Sequence, residues 1–442
     1  MHMKKLTAVA IAAAAALAVA GCSSPQSTPS GTPTGTAAAA PVTLEMSWWG
    51  DDTRAALFHQ VLQLFEAQYP NITVTETPVG APTDLFNRLD TDFGSGGTTA
   101  PDVFALGGAE PQQYGASGNL LALDSPDIAG IVQLSKYPQS SLTNGIVNGT
   151  VYALPTGGNA TAMFVNTDIL TQAGVTAPTG QWSWQDLVTV ANAVGKAGLT
   201  TADGKAIMGI DLRIQDILGT YCGQLNDYGM YSPDGQLNVT ADDVAGWFNL
   251  ELQLRDGGGL PDPSVVTANW NLPTDQQPYA LGQAAITFGY SNLMSTYAKG
   301  GTTEIMMPPT NTTRSGVSLL PSAFWSINAA TKHPTESAEL VNWFLNEPTA
   351  AALILDTRGV PFNPDIATVV ADKVTGDAQK ADAYVASVLA TGKVAPPQPN
   401  GGANMNQYSQ DEESNVLFNK STSDQAAAEW VQKLQADLAA AR

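Results

Sequence analysis

One stretch constrains this chain more than any other: residues 149–166, GTVYALPTGGNATAMFVN. Val151, Ala153 and Leu154 form one apolar run, and Ala162 to Val165 form a second. The spacing predicts two short strands with a polar break between them, because Pro155, Gly157 and Gly158 interrupt the pattern and glycine lets the backbone turn. Asn166, Thr167 and Asp168 then offer N-caps to a following helix. A chain that leaves one apolar core by a strand, crosses a polar gap and enters a second core predicts two lobes joined by a hinge.

The stretch before it alternates strand and helix. Val42 to Ser47 alternates apolar and polar and ends in Trp48-Trp49-Gly50-Asp51. Phe58, Val61, Leu62 and Phe65 recur at helical spacing over residues 53–69. A strand over 72–77, a helix over 84–93 and a third strand over 101–106 follow, the last ending in Gly107-Gly108-Ala109-Glu110. Such alternation predicts an α/β fold with a mostly parallel sheet. Open sheets of that kind bind ligands beyond the carboxyl ends of their strands, which selects 48–51 and 107–110.

The first residues carry targeting signals. Lys4 and Lys5 precede an apolar run from Leu6 to Ala20, and Val19-Ala20-Gly21-Cys22 matches a bacterial lipobox. The run is shorter than the ~20 residues of a membrane-spanning helix. It predicts a lipoprotein signal over 1–21, acylation of Cys22 and a place on the outer face of the cytoplasmic membrane, with the lipid as the sole membrane contact. Residues 22–41, rich in Ser, Thr, Pro, Gly and Ala, predict a disordered tether.

The formal charge is −21, from 19 basic and 40 acidic residues, and removal of the signal makes it two units more negative. That balance argues against nucleic acid as a partner. If Cys22 carries lipid, Cys222 has no cysteine to pair with, so stability must come from a large core.

Several motifs carry a resemblance. Gly149–Pro155 gives "Gly-x-x-Tyr-x-Leu-Pro", Phe164–Leu170 gives "Phe-x-Asn-x-Asp-x-Leu", and Ala173–Pro178 gives "Ala-Gly-Val-x-x-Pro". Pro101-Asp102-Val103, Gly118–Asp124, Trp182–Leu187, Leu281–Ile286 with Gly289-Tyr290-Ser291, and Arg358-Gly359-Val360-Pro361 continue it. In this order the chain resembles the family 1 extracellular solute-binding proteins of ABC importers over nearly all of residues 42–442. The resemblance implies a two-lobed periplasmic-binding-protein-like fold of type II. The expected lobes are 42–157 with 304–356, and 158–303 with 357–442. It also implies a sugar, an oligosaccharide in particular, as ligand, membrane permease subunits as partners, a monomer, no cofactor and no catalysed reaction.

Sugars present flat apolar faces and fans of hydroxyls, so their sites combine aromatic platforms with planar polar side chains. Candidates on the first lobe are Trp48, Trp49, Asp51 and Glu110. Asn159 faces the gap if the hinge exists, and Trp270 and Tyr290 are candidates on the second lobe. Ser322, Phe324 and Trp325 stand where the family resemblance implies a cleft-lining strand start. Arg358 suits a bidentate contact to vicinal hydroxyls or a carboxylate.

Each has a plainer reading. Adjacent Trp48 and Trp49 point to opposite faces if extended, so one belongs to the core. Asp51 is also a helix N-cap, and Arg358 can simply pair with an acid. Two competing functions stay open: the same fold binding a non-sugar solute such as a peptide, a polyol or an anion, though the shortage of Lys and Arg makes phosphate-like anions unattractive, and a surface-anchored glycoside hydrolase. No Gly-x-Ser-x-Gly elbow is present, and the only histidines are His2, His59 and His333, which form no metal motif.

Overall fold

The computed structural model describes residues 40–232, 234–390, 399 and 401–441. The signal, the acylation at Cys22 and nearly all of the tether fall outside them. Contacts divide the chain into residues 1–40 and a compact unit from Pro41 to Arg442.

Ten strands are described in that unit: β1 Val42–Ser47, β2 Ile72–Glu76, β3 Val103–Leu106, β4 Ile146–Val147, β5 Thr150–Val151, β6 Ala153–Asn166, β7 Met208–Asp211, β8 Ala284–Tyr290, β9 Thr303–Met306 and β10 Leu319–Ile327. β4 and β5 form a small hairpin. The main sheet runs β2-β1-β3-β10-β6-β8-β7, with β9 also on β6. β1 lies parallel to β2 and β3, as the strand–helix alternation predicts. β10 is antiparallel to β3 and β6, and β8 is antiparallel to β6.

The structure corrects one expectation. Residues 153–166 are one continuous 14-residue strand, with no break at the glycines. Its first half pairs with β10, up to Ala160 opposite Leu319. Its second half pairs with β8 from Thr161 onward, and with β9 from Met163. The glycines serve a close approach. A Cβ on Gly157 would lie 2.5 Å from the Gly359 carbonyl oxygen, and one on Gly158 would lie 2.4 Å from the Phe362 ring. Gly158 and Val360 exchange backbone hydrogen bonds at 2.9 and 3.1 Å. Gly359 itself has φ +81°, which favours glycine.

Two large apolar clusters result. Leu44, Met46, Phe58, Phe65, Trp325 and Phe344 anchor the first. Trp184, Trp247, Phe248, Phe288 and Trp430 anchor the second. Strand alternation feeds both from β6: Ala162 and Phe164 pack into the first, Met163 and Val165 into the second. The allotment differs from the expected boundary at 357. Val360 and Phe362, with Tyr384 and Val385 from the helix Gly376–Leu389, pack into the first cluster. The helices Met405–Leu417 and Ser423–Ala440 pack into the second.

Local signals set the element ends. Asn166 caps the helix Thr167–Gln172 through its side chain. Ser183 and Asp186 form a capping box ahead of Trp184–Lys196.

Gly157→Ala should lower stability by about 1–3 kcal/mol, since its methyl meets rigid backbone. Gly94→Ala, at a helix end with open space around it, should change stability by less than ~0.5 kcal/mol. Urea unfolding midpoints of the two variants test the contrast.

Candidate functional site

β1 and β3 are neighbours running the same way, so their carboxyl ends lie together. Beyond β1 the chain stays extended: Trp49 bridges Val79 in parallel, and Gly50 N–H donates to the Val79 carbonyl at 2.9 Å. Alternation then separates the two tryptophans. Trp48 is 0% exposed and packs on Phe58, ring centroids 5.3 Å apart. It is core, which corrects its place among the ligand candidates. Trp49 stays half-buried, with Phe86 edge-on at 5.7 Å.

Arg358 holds that ring. Its guanidinium lies 4.6 Å from the Trp49 centroid and 5.9 Å from Phe58, and its Nη2 donates to the Trp49 carbonyl at 2.6 Å. A stacked guanidinium contributes about 0.5–2 kcal/mol at a partly desolvated face. Arg358 is 5% exposed and forms no ion pair, which corrects the expectation of an open bidentate contact. Burial first, and the like charge of Arg54 second, push its pKa down to about 9, so it is cationic at neutral pH. A cavity of about 20 Å³, lined by Phe58, Thr156, Trp325 and Arg358 among others, lies against it. That is room for roughly one water molecule.

Asp51 is exposed and caps the helix Asp52–Gln68 by accepting from Arg54 N–H at 2.9 Å. Glu110 opens the helix Glu110–Ala116 just beyond β3 and is half-buried. Burial, reinforced by Asp90, raises its pKa. The Trp49 ring reaches this turn: a Cβ on Gly107 would sit 3.4 Å from it.

The loop bearing Arg358 leads directly to β6. Val360 bridges Gly158, the residue before Asn159. Asn159 is half-buried and shares a strand face with Thr161, whose hydroxyl meets Thr220 at 3.0 Å. Thr161 in turn sits opposite Tyr290 at the end of β8. Tyr290 is half-buried, and burial first, then Asp216, raise its phenol pKa. Ser322 occupies the irregular point of β10 between Pro321 and Ala323 and is half-buried. Phe324 and Trp325 are each 2% exposed and belong to the first apolar cluster. Both are corrected from cleft-lining to core.

Trp270 follows the helix Pro263–Asn269 and is half-buried. Gln215 Nε2 donates to its carbonyl at 2.8 Å. Its indole N–H faces the Glu413 carboxyl without closing a hydrogen bond of ordinary geometry. Glu413 and Glu251 are both 0% exposed, and Trp247 Nε1 donates to Glu251 at 2.5 Å. Burial raises the pKa of both carboxyls above the normal range; Glu413 pushes Glu251 up further, whereas Glu251 and Trp270 hold Glu413 at about 8.

The structure therefore links Trp49, Arg358, Asn159 and Tyr290 through adjacent backbone. Asp51 and Glu110 border the first of them. Arg54, Phe86, Gln215 and Asp216 complete the surroundings and carry no local sequence signal, since each acts through a partner distant in the chain. Among the described residues, no cluster of His, Cys, Asp and Glu is arranged to hold a metal ion. No described helix is long and apolar enough to cross a membrane. Cys222 is a buried free thiol.

Comparison with known proteins agrees on the class. The family model for bacterial extracellular solute-binding proteins matches residues 60–382. The lactose-binding protein of Rhizobium radiobacter is 27% identical over 225 residues, 50% of this chain and 49% of that protein. The chain thus spans about half the length of that curated relative, and 29% of the length of Brucella binding proteins it also matches. A family 1 extracellular solute-binding protein from Alicyclobacillus acidocaldarius superposes with TM-score 0.76 at 24% identity, covering 90% of this chain and 99% of the other. A periplasmic oligogalacturonide-binding protein from Yersinia enterocolitica gives TM-score 0.74 at 21% identity, with 90% and 99% covered. At such identities the likeness establishes the fold.

The buried pair makes a pH prediction. Glu413 binds its proton up to pH about 8 when folded but only to about pH 4.3 when unfolded. The folded state holds more protons in that window, so stability falls as pH rises through it. Glu413→Gln should flatten that decline by a few kcal/mol, on the order of 1.4 kcal/mol per unit of pKa shift. Urea unfolding from pH 5 to 8.5 measures the slope.

Proposed function

The chain belongs to the bacterial extracellular solute-binding proteins, and on that footing we propose that it captures a carbohydrate, an oligosaccharide in particular, and delivers it to the permease of an ABC importer. The observation that carries this reading is the Trp49 platform. Its ring stands at the carboxyl ends of β1 and β3, clamped by Arg358 and Phe86. A half-buried indole held on one face and one edge offers its remaining face to a pyranose ring at little entropic cost. Asp51, Glu110 and Asn159 supply nearby hydrogen-bonding groups of the planar kind that vicinal hydroxyls need.

Two lobes, built around the two apolar clusters, close on the ligand by rotation about β6 and the crossing segments near 303 and 357. The ligand must bind the closed form better by more than closure costs. Tyr290 and Trp270 meet the sugar from the second lobe. The protein works as a monomer, needs no cofactor and catalyses no reaction. It is held at the outer face of the membrane by acylated Cys22, and the mass of the mature N-terminal peptide tests that anchor. The names of relatives support a sugar, since they include a lactose-binding and an oligogalacturonide-binding protein.

Two measurements test the reading. A glycan panel followed by thermal shift should find a saccharide that raises the melting temperature, as binding to the folded state must. Peptides or polyols stabilising in its place would move the assignment to another solute. Stoichiometric quenching of tryptophan emission with no product is the second expected result; multiple turnovers would identify a hydrolase. Trp49→Ala should weaken saccharide binding by at least about tenfold, read by calorimetry.

A further inference from the structure

We infer that the ligand carries a carboxylate that pairs with Arg54, with Arg358 supplying a second uncompensated charge from beneath Trp49, so that the protein selects acidic saccharides over neutral ones. The inference rests on the carbohydrate reading above and adds the charge of the ligand to it.

The sign of the local charge is the starting point. The chain has 40 acidic residues against 19 basic ones. Every arginine has acids to choose from, and most use them. Arg88 pairs with Glu45, Arg213 with Asp211 and Asp216, Arg255 with Asp256, and Arg314 with Asp227. Arg54 and Arg358 alone among the described arginines hold no carboxylate, and they are neighbours whose charges act on each other.

Each makes one side-chain hydrogen bond, and each to a neutral carbonyl. Arg54 Nη2 donates to Thr357 O at 3.1 Å, and Arg358 Nη2 donates to Trp49 O at 2.6 Å. The Nε of each is buried without a partner. Arg358 is more than nine-tenths buried. A desolvated cation left without an anion is costly, so the pair carries a charge that a bound anion would satisfy.

The helix start adds to the same field, opposed by the exposed Asp52 of its first turn. The helix Asp52–Gln68 starts here, and its first N–H groups bring partial positive charge. Asp51 is already engaged by the backbone N–H of Arg54. Arg54 is half-exposed and lies against the Gly50 turn, where a Cβ on Gly50 would be 2.7 Å from Arg54 Cδ. Arg54 therefore packs on the backbone turn that directly follows Trp49, with its fork on the Thr357 carbonyl. A sugar ring on Trp49 would bring a C5 carboxylate within reach of the Arg54 fork, and guanidinium–carboxylate pairs are the strong, directional case of charge-assisted bonding. Arg358 is a positioning residue: it fixes the indole and adds its charge without touching the ligand.

The test compares matched probes on the full-length protein: disaccharides of glucuronate or galacturonate, and the corresponding neutral disaccharides of glucose or galactose. The acidic member should bind at least about tenfold more tightly at 20 mM NaCl, and the difference should shrink at 300 mM. Arg54→Gln should abolish the preference. Arg358→Lys, which retains the charge, should keep it, whereas Arg358→Gln should lose part of it and shift tryptophan emission; should that variant fail to fold, the Arg54 arm decides. Equal binding of the two series, or a neutral preference, overturns the inference and leaves the carbohydrate reading intact. If neither series binds, the carbohydrate reading fails, and non-sugar hydroxy acids become the probe. Salt-sensitive binding of those retains the arginine pair as a carboxylate site, and no binding overturns it.

Discussion

The structure depends on one strand being shared. β6 runs unbroken for 14 residues and gives its first half to β10 and its second half to β8 and β9. Its alternating side chains pack into two different apolar clusters, so neither cluster forms without it. The geometry is possible because Gly157 and Gly158 have no side chains at the point where the 357–360 loop crosses. A Cβ at these positions would lie 2.5 Å from the Gly359 carbonyl oxygen or 2.4 Å from the Phe362 ring, so the loop would have to shift. The same crossing delivers Arg358 to Trp49. Strand continuity, loop path and platform are therefore one constraint seen at three positions.

The same constraint fixes the Trp49 ring. An exposed indole pivots about two side-chain torsions and loses that freedom on binding a ligand. Here the freedom is removed in advance by a guanidinium on one face and a phenyl edge. The cost falls on Arg358, whose charge is buried among Trp49, Phe58 and Arg54 with no anion beside it. Ionisable groups perturbed by burial and a charged neighbour cluster at functional sites. Glu251 and Glu413, next to Trp270, are buried as well, but their raised pKa values leave them protonated and uncharged at neutral pH.

Local chemistry was legible wherever neighbours in sequence are neighbours in space. The apolar repeat at Phe58, Val61, Leu62 and Phe65 is the buried face of the helix Asp52–Gln68. Asp51 and Asn166 cap as their positions suggest. Alternation correctly separated Trp48 from Trp49, though it could not say which faced inward. The same alternation does not reveal burial depth from a second layer, so Phe324 and Trp325 looked available although both are buried, Trp325 under Phe58 and Phe344.

The sequence by itself determined the strand–helix order, the parallel start of the sheet and the helix caps. These follow from periodicity and capping, which act over a few residues. Only the tertiary structure decided that 153–166 is one strand, that Trp49 is the half-exposed indole, and that Arg358 lies under it across 309 positions of chain. Those outcomes depend on which distant surfaces fit together, and packing at that range leaves no period in the chain for a local pattern to carry.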